Sequence, residues 1–291
     1  MIKEKNVQTI FRRPSSTAGS PNLSDSKNKA ALLFKYIRLH IEVVKLGFAS
    51  RLAYRTDFFF SVFAFFLLQF VGPLFVLFVY NAGGSFPGWT KEQILLLQGV
   101  TNLVKGFSWM TLMCILWGTH RRVRYGKFDL LLLRPVNTLW YVFMVSFDEE
   151  DLGQFVGGVV LTIAALILMG GWTGSILLFF SLVFVGLLFF FAIGVLLSAL
   201  TLRFVETRRL GEILDSLLML SGYPRQIYSP GVASFFSTFF PLFVIGFFPA
   251  SALLGLPLNG VWLAVGCTIL LAIISVIVWY RALRGYQSAG G

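Results

Sequence analysis

The chain has 291 residues, of which 57% are hydrophobic and 13% charged, and its mean hydropathy is +0.79. That balance excludes an ordinary soluble domain, in which about a quarter of the residues are charged, and marks an all-α integral membrane protein. The formal net charge of +11 does not indicate nucleic acid as a partner. The basic residues lie before and between apolar runs, where anionic lipid and membrane topology account for them.

Residues 1–30 carry Lys, Arg, Ser, Asn and Pro with no apolar stretch or cleavage pattern, so they are expected to form a disordered cytosolic tail, not a secretory signal. Residues 31–55 are two-faced. Ile37, Ile41, Val44 and Phe48 fall on one side of a helix and Lys35, Arg38, Glu42 and Lys45 on another. Two readings stay open: an interfacial elbow helix with its basic face toward headgroups, or a cytosolic extension of the first span.

Six transmembrane helices are expected within 56–291, at about 58–80, 94–117, 149–170, 175–201, 206–222 and 260–280. The first runs 23 residues without a formal charge and contains Gly72-Pro73, the place for a kink. The fifth is the least apolar. Residues 221–255 are too apolar for a solvent loop, yet Pro224, Pro230, Pro241 and Pro249 cut them too often for one spanning helix. Short re-entrant helices roofing the outer end are expected there; an additional pair of spans is the alternative. With the N-terminus inside, 21 of the 24 Lys and Arg fall on the cytosolic side, leaving Lys91 and Arg225 outside and Lys105 within the second span. Both termini are then cytosolic.

Between the second and third spans, residues 119–135 read THRRVRYGKFDLLLLRP and hold five of the 24 basic residues. Arg121, Arg122 and Arg124 alone serve as a positive-inside anchor. The sequel is less usual. Gly126 allows a turn, Asp129 is a candidate N-cap, and Phe128, Leu130, Leu131, Leu132, Leu133 and Pro135 concentrate apolar surface beside Arg134. A helix over 129–133 would present that surface to lipid or to a partner protein.

The stretches GKFDLLLLRPVN at 126–137, YPRQIYSP at 223–230 and YQSAGG at 286–291 resemble permease subunits of bacterial type-2 ATP-binding-cassette (ABC-2) exporters, over residues 30–291. The resemblance implies six spans, an elbow helix, re-entrant helices before the last span, and a coupling helix between the second and third spans. Residues 121–135, with Gly126, Phe128 and Asp129 at the turn, would then dock on an ABC ATPase. It further implies two ATPase copies, a second permease subunit that is identical or homologous, and location in the bacterial plasma membrane. The polar 30-residue start departs from the shorter start the family suggests.

No segment matches the phosphate-binding pattern G-x-x-x-x-G-K-[ST]. ATP and Mg are therefore expected on the partner, with no cofactor bound by this chain and no enzymatic activity of its own.

Ionisable groups within spans are expensive, at least ~2.5 kcal/mol each, and usually face a cavity or a partner. Lys105 sits in the second span, and Glu212 and Asp215 share one face of the fifth. Either Lys105 pairs with these carboxylates between helices, or Glu212 and Asp215 line a pathway for a lipophilic cation. Asp148, Glu149, Glu150 and Asp151 open the third span; adjacent positions point around a helix and do not converge on a metal. They are expected at the cytosolic interface, holding the basic loop by salt bridges. His40 and His120 build no catalytic or zinc arrangement, and the 32 phenylalanines read as lipid contact and packing.

The expected function is export of a hydrophobic or cationic amphiphile, drug-like or lipid-like. An ion-coupled secondary transporter or channel subunit is the alternative, but it leaves the four leucines without purpose and no internal repeat supports it.

Overall fold

The computed structural model describes residues 37–38, 40–42, 44–47, 49, 55–134, 137–204 and 208–287. The chain divides into residues 1–41 and 42–291. In the first unit the described residues 37, 38, 40 and 41 are helical. The expected tail at 1–30 lies outside the described residues, as do 31–36, 39, 43, 48 and 50–54 of the elbow segment and the last four residues. In the second unit, Lys45 pairs with Glu42 at 3.3 Å on a helical stretch.

Every regular element among the described residues is helical. The first long helix is α1 (Arg55–Leu68) followed by α2 (Val71–Asn81). The break falls at 69–70 and has a steric cause: the ring of Pro73 clashes with a helical carbonyl at residue 69. The freed Gln69 carbonyl accepts instead from Asn102 Nδ2 at 3.4 Å. The kink expected at Gly72-Pro73 therefore appears one turn earlier.

The second long helix comprises α3 (Lys91–Ser108), a π-helical turn (Trp109–Met113) and α4 (Cys114–Arg124). Thr90 and Gln93 start it with a capping box, Gln93 N donating to Thr90 Oγ1 at 3.4 Å and Thr90 N to Gln93 Oε1 at 3.0 Å. After α5 (Asp129–Leu132) and α6 (Thr138–Val145) come α7 (Leu152–Met169), α8 (Ile176–Arg203), α9 (Arg208–Met219), α10 (Pro230–Thr238), α11 (Phe247–Leu253) and α12 (Val261–Arg284). Among the described residues, five helices are long and apolar enough to cross a membrane: 55–81, 91–124, 152–169, 176–203 and 261–284. The segment expected as the fifth span contains only the 12 residues of α9 and a 3-10 turn, Leu220–Gly222. Residues 205–207 of that segment lie outside the described residues.

α3 and α7 approach through glycine. A Cβ at Gly99 would stand 2.7 Å from Thr162 N, and one at Gly106 or Gly158 would run into the backbone of Phe155 or Leu103. Such small positions let membrane helices touch along their backbones, where dispersion replaces the hydrophobic drive that lipid removes.

Residues 221–255 fold as two helices of nine and seven residues, α10 and α11, joined by 3-10 turns. Neither has the ~20 residues a crossing needs, so the alternative of an added pair of spans is not seen. Phe243, Val244, Ile245 and Phe248 are wholly buried. The motif at 223–230 acts as a strap: Arg225 donates to the Asn259 carbonyl at 2.9 Å, Gln226 Oε1 accepts from Trp89 Nε1 at 3.2 Å, and Tyr228 OH donates to the Leu220 carbonyl at 2.7 Å.

These contacts define two ends of the bundle. One gathers Trp89, Gln226 and Asn259, and also the turn before α8, where Gly174 N donates to the Leu253 carbonyl at 2.8 Å. The other gathers the 125–137 segment and the C-terminal end of α12, where Asn137 Nδ2 donates to Tyr280 OH at 2.7 Å and Phe128 meets Trp279.

Candidate functional site

The basic run is helical, not a loop. Nothing between Gly118 and Arg124 breaks a helix, and α4 ends with Arg121, Arg122 and Arg124 in its last turn, where cations oppose the negative end of the helix dipole. Gly126, at φ +63°, then reverses the chain in a Schellman motif. Its N–H donates to the Val123 carbonyl at 3.1 Å, and that of Lys127 to the Arg122 carbonyl at 2.8 Å.

The reversal delivers Phe128 and α5. Phe128 occupies the N-cap and Asp129 is the first helical residue, which corrects the expectation of an Asp129 cap. The four leucines divide. Leu131 is 6% exposed and packs with Phe128, Val123, Leu139 and Trp279, whereas Leu130, Leu132 and Leu133 are 60%, 43% and 81% exposed. Phe128 is fully buried, its ring meeting Trp279 and Tyr286 edge-on at 6.4 and 5.1 Å. Arg134 donates to Tyr141 OH and stacks over that ring, 4.7 Å from its centroid. Pro135 lies outside the described residues. α6, which Asn137 caps by accepting from Trp140 N at 3.2 Å, was not expected, and its local signal is the Asn cap before an apolar run; nothing local marks Tyr141 and Trp279 as the anchors. α5 is thus a short apolar projection pinned at one end of the bundle.

The acidic cluster precedes the third long helix. Asp151 is the residue before α7, and Asp148 N donates to the Met110 carbonyl at 3.0 Å. That carbonyl belongs to the π-helical turn, an irregularity common at functional sites. Asp148 and Asp151 line the same cavity as Arg121, Arg122 and Lys127. No ion pair within 4.0 Å joins those two acids to these bases among the described residues. Glu149 is buried and Glu150 half-buried.

Burial, together with Asp148, Glu150 and Asp215, pushes the Asp151 carboxyl up to about 7. The unfolded chain loses that proton near pH 4, so Asp151 lowers stability progressively as pH rises from about 4 to 7. Asp151→Asn should therefore raise Tm in detergent at pH 8 and leave it nearly unchanged at pH 4. Equal shifts at both values would exclude the linkage.

Within the bundle, α9 buries Gly211, Leu214 and Leu218 and exposes Glu212, Asp215, Ser216 and Met219. Lys105, half-buried on α3, lies within electrostatic reach of Asp215, without an ion pair inside 4.0 Å among the described residues. The structure thus brings Lys105, Asp215 and Asp151 into one neighbourhood and sets Glu212 on the outward face.

Residues 59–290 match the family described as ABC-2 family transporter protein. The chain belongs to that family. It is the permease subunit of an ABC transporter, a multi-pass membrane protein that associates with an ABC ATPase. No curated protein matches it.

Proposed function

We propose that this ABC-2 permease is one half of an exporter. Paired with a second permease, identical or homologous, it moves a hydrophobic or cationic amphiphile, drug-like or lipid-like, across the bacterial plasma membrane. Two copies of a separate ATPase hold ATP and Mg and supply the energy; this chain catalyses nothing itself. The observation that carries the reading is α5, a helix with two side chains anchored inward and three leucines facing out, beside exposed Arg121 and Arg124. A motor docked there pushes on Phe128 and hence on α4 and α12. Co-purification of the full chain from its native membrane tests it. An ATPase should accompany the permease, and the mass of the intact complex gives the copy numbers.

Six crossings with both termini cytosolic fit this role. The C-terminal end of α12 sits with the 125–137 segment, while Arg225 and Asn259 sit at the opposite end, so the chain passes from one end to the other between Arg203 and Arg225. α9 and its 3-10 turn account for 15 residues of that passage, about 22 Å at helical rise. The elbow helix at 31–55 and the re-entrant placement of α10 and α11 complete the arrangement.

Glu212 and Asp215, outward on α9, face the space between permeases and attract a cationic cargo. Carboxylates facing a shared cavity escape the cost of contact with hydrocarbon. The Glu212→Gln, Asp215→Asn double variant should lose cationic-dye export several-fold while retaining export of a neutral amphiphile. Equal losses for both cargoes would assign the pair a structural role.

A further inference from the structure

The cavity at the end of α4 has a composition the coupling role does not use. It measures about 400 Å³ and is lined by Trp109 and Trp117, by Arg122, and by Ser146, Asp148 and Asp151. Ser146 is 6% exposed, and its Oγ has no hydrogen-bond partner among the described residues; neither has the buried Arg122 Nη1. Both atoms lie against Gly118, where a Cβ would stand 2.6 Å from Ser146 Oγ and 2.8 Å from Arg122 Nη1. Two unpaired donors buried against one glycine are costly unless an acceptor joins them. Arg121, Tyr125 and Lys127, all exposed, form the rim.

Three cations and one hydroxyl supply an anion site of the kind phosphate occupies, with a guanidinium able to grip two oxygens. Asp148 and Asp151, which also line the cavity, do not suit a bare anion. They suit a ligand that also carries a cation. Indole and phenol rings at this level belong to the belt where membrane helices meet headgroups, and basic pockets between spans on the cytosolic side bind lipid headgroups. The volume holds about a dozen water-sized groups, ample for a phosphoethanolamine unit.

We propose that this cavity binds the headgroup of an amino-phospholipid, the phosphate held by Arg122, Ser146 and the rim cations and the ammonium by Asp148. The site rests on the reading of the chain as a permease whose 125–137 end lies at the cytosolic membrane surface. A lipid seated there braces α4 against the 146–151 segment, which α4's neighbouring π-turn already holds through Met110.

The test is lipid retention by the full chain, read by native mass spectrometry from micelles doped equally with phosphatidylethanolamine and phosphatidylglycerol. It is scored whether or not an ATPase co-purifies, so its failure and the failure of the exporter reading are separate results. The wild type should retain phosphatidylethanolamine in preference. Arg122→Gln should lower retention of both lipids about tenfold, as expected for loss of a charge-assisted contact. Ser146→Ala, the gentler change, should give a smaller loss in the same direction, and Asp148→Asn should abolish the preference between lipids. Glycerophosphoethanolamine should displace the lipid far better than inorganic phosphate. Unchanged retention in either folded variant, or no preference in the wild type, overturns the proposal. Displacement by inorganic phosphate as effective as by glycerophosphoethanolamine also overturns it, marking a free-phosphate site.

Discussion

Replacing Leu130, Leu132 and Leu133 together by serine is expected to strip the ATPase from the complex while leaving the permease as stable as before. The three side chains are exposed, so their removal forfeits no packing inside the chain; surface changes of this kind usually fall within about 0.5 kcal/mol. At a docked interface the same side chains would be buried, each worth roughly 1.5–3 kcal/mol. The triple change should weaken association by several orders of magnitude by that reckoning, enough to lose the ATPase on a size-exclusion column and to abolish substrate-stimulated hydrolysis. Leu131→Ala is the necessary contrast. That side chain is buried in the cluster that holds Phe128 and Trp279, and its truncation should cost about 2–5 kcal/mol of stability, visible as a lower Tm of the isolated permease. If the serine variant holds its ATPase at wild-type affinity, docking occurs elsewhere and α5 is only a structural plug.

The second large effect lies between α3 and α7. At Gly158 an added Cβ would meet the backbone of Leu103, and at Gly106 that of Phe155. Backbone cannot rotate aside as a side chain can, so the two helices must separate. Gly158→Leu is expected to exceed the usual 1–3 kcal/mol of overpacking and to leave little monodisperse protein after solubilisation. Gly266, exposed on α12, has nothing within 4 Å of its Cβ position, and Gly266→Ala should be neutral or gain up to about 1 kcal/mol of helix propensity. Normal yield and Tm for Gly158→Leu would mean that α3 and α7 are not clamped as the structure shows.

Membrane class, the long apolar helices and the punctuation at Pro73 and 221–255 were legible in the sequence because each follows from local rules. Hydrocarbon demands about 20 apolar residues per crossing, and proline cannot donate a hydrogen bond or tolerate the carbonyl one turn back. The basic and apolar halves of 119–135 could also be told apart, and Gly126 located as the hinge. Whether the four leucines faced inward or outward could not. A four-residue helix has too short a period to reveal a buried face, and the core that buries Leu131 includes Trp279, about 150 positions away in the chain.

The sequence by itself determined the solvent in which this protein folds, because composition sets which surfaces water will tolerate. It also determined where the cations lie relative to the spans. Tertiary structure alone decided which side chains are anchors and which are displayed, that the segment expected as the fifth span holds a helix of only 12 residues, and that Arg122, Ser146 and Asp148 share one cavity. Those outcomes depend on contacts between segments distant in sequence, where neighbours, not local propensity, fix how deeply a side chain is buried and what charge it meets.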